Sequence, residues 1–452
     1  MKRIALYLAA SLCLGCTETT QVQHETAASV NSEITVAQPA APAETANPAP
    51  ESAVTDSATP AVPEEAPPVL ENSKNTQTET IQPASNEVNP DITQPETAET
   101  ENAESVPEED MQQDTHALHT EADWFEAVPS RKWYKETQRH TNKSYLSEYF
   151  NQIHYKAPDH TYALIAPIRV EKGKLSIQYY SYLNTAFEYS MTKAGEENYW
   201  PASTVKLAAA VMALLKLNSY GVNHQTVVSF TDLEGSYNNT VEKLCRDAII
   251  PSNNRAYNRL MEIAGFDEIN DYYLPNVFHF PKMVLQRRYV RQHPNDSLRD
   301  SPEISYTNGS KSGVIPERHS SGKMRPQCPR ESNCTTLAEL GEVMFRVVLH
   351  EELPKNRRLA LPQEDIDMLR DALRKAPSCI GDGVAAAMGS DAIVYNKGGK
   401  VTADDRLEIA IVSSPDKQER YLIALSMPYY IGVEKETNRL AKILIRAMQN
   451  RQ

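Results

Sequence analysis

A break in composition near residue 120 decides which part of this chain can fold at all. Residues 16–120 are Ala, Pro, Thr, Glu, Gln and Asn with almost no aromatic or large apolar side chains, so they cannot bury enough surface to offset their conformational entropy. Twenty or so acidic residues against the single Lys74 make that stretch strongly anionic; with its prolines, self-repulsion predicts an extended, solvated tether. The folded part is therefore 121–452, about 330 residues, enough to bury a large core in one domain of two lobes. The whole chain carries a formal charge of −14. With the tether and the two basic residues at the start set aside, the remainder is at about +3, which gives no electrostatic ground for a nucleic-acid partner.

Ahead of the tether, Met1-Lys2-Arg3 and the apolar run 4–14 read as an export signal over residues 1–15. That run is too short to span a bilayer as a mature helix. Leu12-Cys13-Leu14-Gly15-Cys16 resembles a bacterial lipobox, although Cys13 stands where that motif usually has leucine. The expectation is an exported protein held in the cell envelope by a lipid on Cys16, facing the periplasm or the exterior. Four further cysteines, Cys245, Cys328, Cys334 and Cys379, show no metal pattern. Cys328 and Cys334 are close enough to close a small loop as a disulfide, whereas Cys245 and Cys379 are either buried thiols or a second pair. The scattered histidines have no ligand spacing either, so no metal and no cofactor is expected.

Within the folded part, residues 161–170 and 174–182 are rich in Ile, Val, Tyr and Leu around a Glu171-Lys172-Gly173 turn, which predicts a hairpin. A helix is predicted to start at Ser203, running through 204–217 to Gly221, and its almost continuous apolar character places it at the centre of a lobe. Helices are also predicted over 241–250 and 255–264, with Pro251-Ser252-Asn253-Asn254 in the loop between them. Residues 280–333 lack periodicity and read as a long loop or loop pair. A helix over 337–350 follows, with threonine as its N-cap, then strands over 393–397, 406–413 and 420–427 and a closing helix over 435–450. Strands at both ends bracketing helices imply an α+β fold, in which both termini of the domain form one antiparallel sheet beside a mainly helical lobe.

Ser203 and Lys206, three apart at the start of a helix, share a face one turn apart. A serine hydroxyl needs a base, and a lysine desolvated in apolar surroundings can lose its proton near neutral pH and serve as one. The backbone N–H of Ser203 at the helix start can help hold an oxyanion. By itself such a pair is common. Ser252 adds a second hydroxyl able to relay a proton, Asn254 an amide able to bond both substrate and lysine, and Lys397-Gly398-Gly399 a cationic strand edge suited to a carboxylate.

These elements, in this order, resemble the Ser-x-x-Lys, Ser-x-Asn and Lys-Thr-Gly motifs of the class A β-lactamases and penicillin-binding DD-peptidases, over roughly 140–452. The resemblance implies that Ser203 is acylated, Lys206 is its base, Ser252 passes the proton to the leaving nitrogen, and Asn254 orients substrate and Lys206. Lys397 and Arg406 would bind the substrate carboxylate, with Gly399 letting the substrate lie along the strand edge. Gly398 replaces the usual hydroxyl residue, a loss of about 1–3 kcal/mol of binding unless something substitutes for it, and Asn253 replaces a common aspartate. The Glu-x-x-Leu-Asn segment that positions the deacylating water in class A enzymes is missing. Glu303 is the best candidate for that role, ahead of Glu317 and Glu331, but none is followed by Leu-Asn. The implied function is an exported serine hydrolase that forms an acyl-enzyme with β-lactams or D-alanyl peptides; a non-catalytic cell-wall or peptide binding module on the same fold is the alternative.

Overall fold

The computed structural model describes residues 125–126, 130–171, 174–184, 200–289, 300–323, 325, 328, 332–400, 405–428 and 432–451. The chain divides into units 1–98 and 99–452, and all described residues belong to the second. The export signal, Cys16 and the tether lie outside the described residues. Among the described residues no helix is long and apolar enough to cross a membrane.

Strand β1 (Phe125–Glu126) and helices α1 (Ser130–His140) and α2 (Tyr145–Gln152) lead into β2 (Tyr162–Glu171), β3 (Lys174–Ile177) and β4 (Tyr180–Leu183). Next come α3 (Lys206–Ser219), β5 (Val227–Asp232), β6 (Gly235–Thr240), α4 (Val241–Ile249), α5 (Asn254–Ala264) and the short α6 (Phe266–Glu268). Strands β7 (Ile304–Asn308) and β8 (Lys311–Ile315) precede α7 (Leu337–Val348), α8 (Gln363–Lys375) and α9 (Gly381–Met388). The chain closes with β9 (Ile393–Lys400), β10 (Asp405–Ser413), β11 (Arg420–Pro428) and α10 (Val433–Gln449).

The main sheet runs β1-β3-β2-β11-β10-β9, all antiparallel, so β2 from the start of the domain pairs with β11 from its end. Period-two alternation gives each strand two apolar faces. Leu164, Ala166, Leu407, Ile409 and Leu422 join α3 and α7 in one core, whereas Ala163, Ile165, Ala410, Val412 and Ile423 join α2, α9 and α10 in the other. The sheet is thus covered on both sides, and its β9 edge meets the turn that precedes α3.

Three expectations need correction. The helix does not begin at Ser203: Ala202–Val205 form a 3₁₀ turn, and α3 starts at Lys206. The second strand of the hairpin is split, because β3 pairs with Ile168–Glu171 of β2 and β4 with its Tyr162–Ile165. The stretch 280–333 is not all loop: β7 and β8 join β5 and β6 in a second sheet ordered β6-β5-β7-β8. Its strands are short and its exposed face polar, which is why the sequence pattern looked aperiodic.

Cysteine geometry settles the open pairing. Cys328 and Cys334 are bridged, and Cys245 and Cys379 are separate buried thiols.

Helices α9 and α10 approach so closely at Gly383 that a Cβ there would lie 2.0 Å from the Asn438 carbonyl oxygen, a backbone atom that cannot swing away. The Gly383 N–H also donates to Asn438 Oδ1 at 2.8 Å. Gly383→Ala is therefore expected to cost about 3 kcal/mol, the upper end of ordinary overpacking, seen as a lowered midpoint in urea with an unchanged slope. A midpoint within error of the parent would contradict this packing.

Candidate active site

The nucleophile position is built by backbone strain. Ala202, just before Ser203, has φ +46°, and Ser252 in the second motif has φ +58°, both in the left-handed region that non-glycine residues avoid. Such positions persist only where the surroundings over-determine them, and these two lie in the two segments that meet at the site. In the 3₁₀ turn the Lys206 N–H donates to the Ser203 carbonyl. Residues three apart share a face in this geometry, so the turn puts Ser203 and Lys206 on the same side of the chain.

Lys206 is the first residue of α3, and α3 is buried along almost its whole length. The lysine is itself completely buried. Its Nζ donates to the Ser252 carbonyl, to Ser252 Oγ at 3.2 Å and to Asn254 Oδ1 at 2.7 Å. These acceptors hold the amine in place and favour its charged form. Burial, reinforced by the positive charge of Lys397, opposes them and lowers Lys206 to about 6. At neutral pH it is a free amine able to take the Ser203 proton.

Lys397, on β9, is also buried and donates to Ser252 Oγ at 3.0 Å and to the Gly398 carbonyl at 2.7 Å. Burial lowers it to about 8, with Glu408 pulling it up and Arg406 pushing it down. Ser252 Oγ accepts from both amines. Its lone pairs are taken, so its own proton is left to donate to a substrate atom.

Local sequence explains these placements. Asn253 caps α5 by accepting from the N–H groups of Arg255 and Ala256, which fixes the loop that carries Ser252 and sets Asn254 at the first position of the helix. Asn253 thus holds the loop. Gly399 sits against the 3₁₀ turn, where a Cβ would lie 3.2 Å from Ser203 N and 3.1 Å from Thr204 Cγ2. Only glycine lets the strand edge come this near the nucleophile.

Ser203, Lys206, Ser252, Asn254, Lys397 and Gly399 are thus brought together by three separate segments. Arg406 is set back from them: it lies across from Lys400 in the β9–β10 ladder and pairs with Glu434 at 3.1 Å. Glu303 is exposed at the foot of β7 in the second sheet, with no hydrogen bond or ion pair to the other site residues.

One residue of the site has no signature in the sequence. Tyr289 donates its hydroxyl to the carbonyl of strained Ala202 at 2.6 Å and stacks on Tyr257 at 4.6 Å between centroids. Its N–H donates to Asn258 Oδ1, its carbonyl accepts from Asn254 Nδ2, and its ring lies 6.0 Å from Lys206 Nζ. Burial pushes its hydroxyl up to about 12, so it is a neutral phenol. Among the described residues, an aromatic ring therefore forms the wall beside Lys206.

A family model described as the beta-lactamase enzyme family matches residues 165–445, well over half of the chain and every residue of the site. The chain belongs to the beta-lactamase enzyme family. No curated protein matches the sequence. Solved structures similar to it include a class A beta-lactamase from Bacteroides cellulosilyticus, at 13% identity with a TM-score of 0.44, covering 68% of this chain and 97% of that one. A beta-lactamase from Burkholderia vietnamiensis is similar at 14% identity and a TM-score of 0.40, with the same two coverages. For a beta-lactamase family member the two lysines imply a simple pH rule. A base at Lys206 has to be neutral, above about 6, and an anion site at Lys397 has to be charged, below about 8. The second-order rate of Ser203 acylation by a carboxylate-bearing β-lactam is expected to be bell-shaped, rising through pH 6 and falling through pH 8, when read by intact-protein mass. A rate that climbs steadily to pH 10 would mean that Lys206 keeps an ordinary lysine's proton.

Proposed function

We propose that this protein is a serine acyltransferase-type hydrolase whose Ser203 is acylated by β-lactams or by the D-alanyl peptides they mimic. The observation that carries this reading is the convergence of Lys206 Nζ and Lys397 Nζ on Ser252 Oγ, at 3.2 and 3.0 Å, beside the turn that presents Ser203. Neutral Lys206 takes the Ser203 proton as its Oγ attacks the carbonyl carbon. The oxyanion forms against the Ser203 N–H, and Ser252 then delivers a proton to the departing nitrogen, re-supplied through Lys206. Lys397 holds the substrate's carboxylate.

Release of the acyl group is the weaker half of the cycle. Tyr289 occupies the Lys206 side of the site, and a phenol pushed up to about 12 is no base for water at neutral pH. The reading is therefore capture with slow turnover. The export signal, the lipid on Cys16 and the acidic tether extend it to a reactive domain held away from a membrane in the cell envelope; these rest on the sequence of residues 1–120.

A fluorescent penicillin should leave one adduct on the intact protein, absent in Ser203→Ala and surviving through the mass measurement. No adduct at any pH between about 5 and 9 would favour the non-catalytic binding module. Nitrocefin turnover, measured separately, should be slow, and Tyr289→Phe should weaken acylation by about tenfold through loss of one buried hydrogen bond to Ala202. Rapid nitrocefin hydrolysis by the parent protein would refute the assignment of Tyr289 as a barrier to deacylation.

A further inference from the structure

Gly398 and Glu408 are direct partners across the β9–β10 ladder. A Cβ at 398 would lie 2.9 Å from Glu408 Oε2, so the glutamate's carboxyl fills the room left by the missing side chain. Glu408 is completely buried one strand in from the β9 edge. The segment just before α9 holds it: Ser378 Oγ donates to Oε1 at 2.9 Å, and Cys379 Sγ donates to Oε2 at 3.1 Å. The charged groups around it are Lys397 on β9 and Arg406 on its own strand; Arg406 in turn faces Lys400 on β9 and Glu434 on α10. Burial raises its carboxyl above the usual range, against the pull of Cys379, Ser378, Lys397 and Arg406.

An acid at this place has two states with opposite effects on an anionic substrate. Ionised, it neutralises the field of Lys397 and Arg406. Protonated, it no longer offsets Lys397, and Arg406 is left with Glu434 alone.

Resting on the acylating reading above, we propose that Glu408 sets the site's preference for substrates bearing a carboxylate, with the substrate's anion and a proton on Glu408 entering together. The proton comes from solvent and no covalent bond is made or broken in this step. Linkage makes the effect reciprocal: if ionising Glu408 weakens the hold on a carboxylate about tenfold, binding that carboxylate strengthens proton binding at Glu408 by the same factor.

The test compares benzylpenicillin with its methyl ester, which lacks the anion. The rate of Ser203 adduct formation is measured for both, from pH about 5 to about 8, in the parent and in Glu408→Gln, which removes the charge while its one carbonyl oxygen still accepts from Ser378 or Cys379. Lys206 serves both probes alike and cancels in the acid-to-ester ratio. In the parent the ratio is expected to fall about tenfold as pH rises, and in Glu408→Gln the part of that fall lying below the titration of Lys397 should vanish. A second measurement needs no change at Glu408. In Ser203→Ala/Lys206→Met near pH 6, where Lys397 is already charged and no lysine titrates at position 206, calorimetry in two buffers of different ionisation enthalpy should show proton uptake with benzylpenicillin and none with the ester. An identical ratio profile in Glu408→Gln, or no uptake near pH 6, overturns the role of Glu408 while leaving acylation intact. If neither probe labels the parent at Ser203, the acylating reading fails, and this proposal with it.

Discussion

Two buried amines point at one hydroxyl, and the remainder of the site follows from their burial and, for Lys206, from the neighbouring charge of Lys397. Lys206 and Lys397 each come within about 3 Å of Ser252 Oγ, in a space with little water to screen them. Like charges so placed cannot both stay protonated at no cost, and the two lysines divide the burden unequally. Lys206, with no carboxylate near it among the causes of its shift, gives up its proton first. Lys397, with Glu408 nearby, keeps its own to higher pH. One amine is thereby suited to act as a base and the other to hold an anion, although they are the same residue type. Strained Ser252, the Asn253 cap and the approach of β9 to the 3₁₀ turn all serve to hold this arrangement.

Adjacent glycines on β9 serve different ends because successive strand residues face opposite sides of the sheet. Gly399 faces the helical lobe and lets the strand touch the backbone of the nucleophile turn. Gly398 faces α9 and α10, where its missing side chain makes room for Glu408. The hydroxyl that the third motif lacks is thus not simply absent. A titratable carboxyl lies in its place, carried by the neighbouring strand.

The opposite wall is built from Tyr289 and the charges behind it. Arg288 pairs with Glu234 at 2.9 Å and with Glu262 at 3.2 Å, while Arg259 pairs with Asp232 at 2.9 Å. Asp232 and Glu234 are committed to arginines, whereas burial raises Glu262 to about 8 against the pull of Arg288. Asn258 ties the cluster to the site by donating to Glu234 and accepting from the Tyr289 N–H. A buried ion cluster is costly to rearrange, because breaking one partner strands a charge. It therefore fixes Tyr289 over Lys206 as a rigid wall.

How much of this was legible in advance depended on whether the signal was local. Apolar period and capping residues marked α4, α5, α7 and α10 and the strands β2, β9, β10 and β11, because those elements bury one face in a way that the sequence must encode. Ser203, Lys206, Ser252, Asn254, Lys397 and Gly399 were recognisable from short motifs in fixed order. The amphipathic spacing of Ile366, Leu369, Ala372 and Leu373 in α8 was equally present, and simply carried no chemistry to draw notice. Tyr289 and Glu408 had no such signal. Each acquires its role from a neighbour distant in sequence: Ala202 and Lys206 for the tyrosine, Gly398, Ser378 and Lys397 for the glutamate. The sequence alone pointed to a fold following the tether, to strands from both ends meeting in one sheet, and to Ser203, Lys206 and Lys397 as members of one site. The tertiary structure decided which lysine burial lowers further, where the turn strains, and that Tyr289 and Glu408 lie beside Lys206 and Gly398, because burial and cross-strand proximity are properties of the packed chain and not of any one segment.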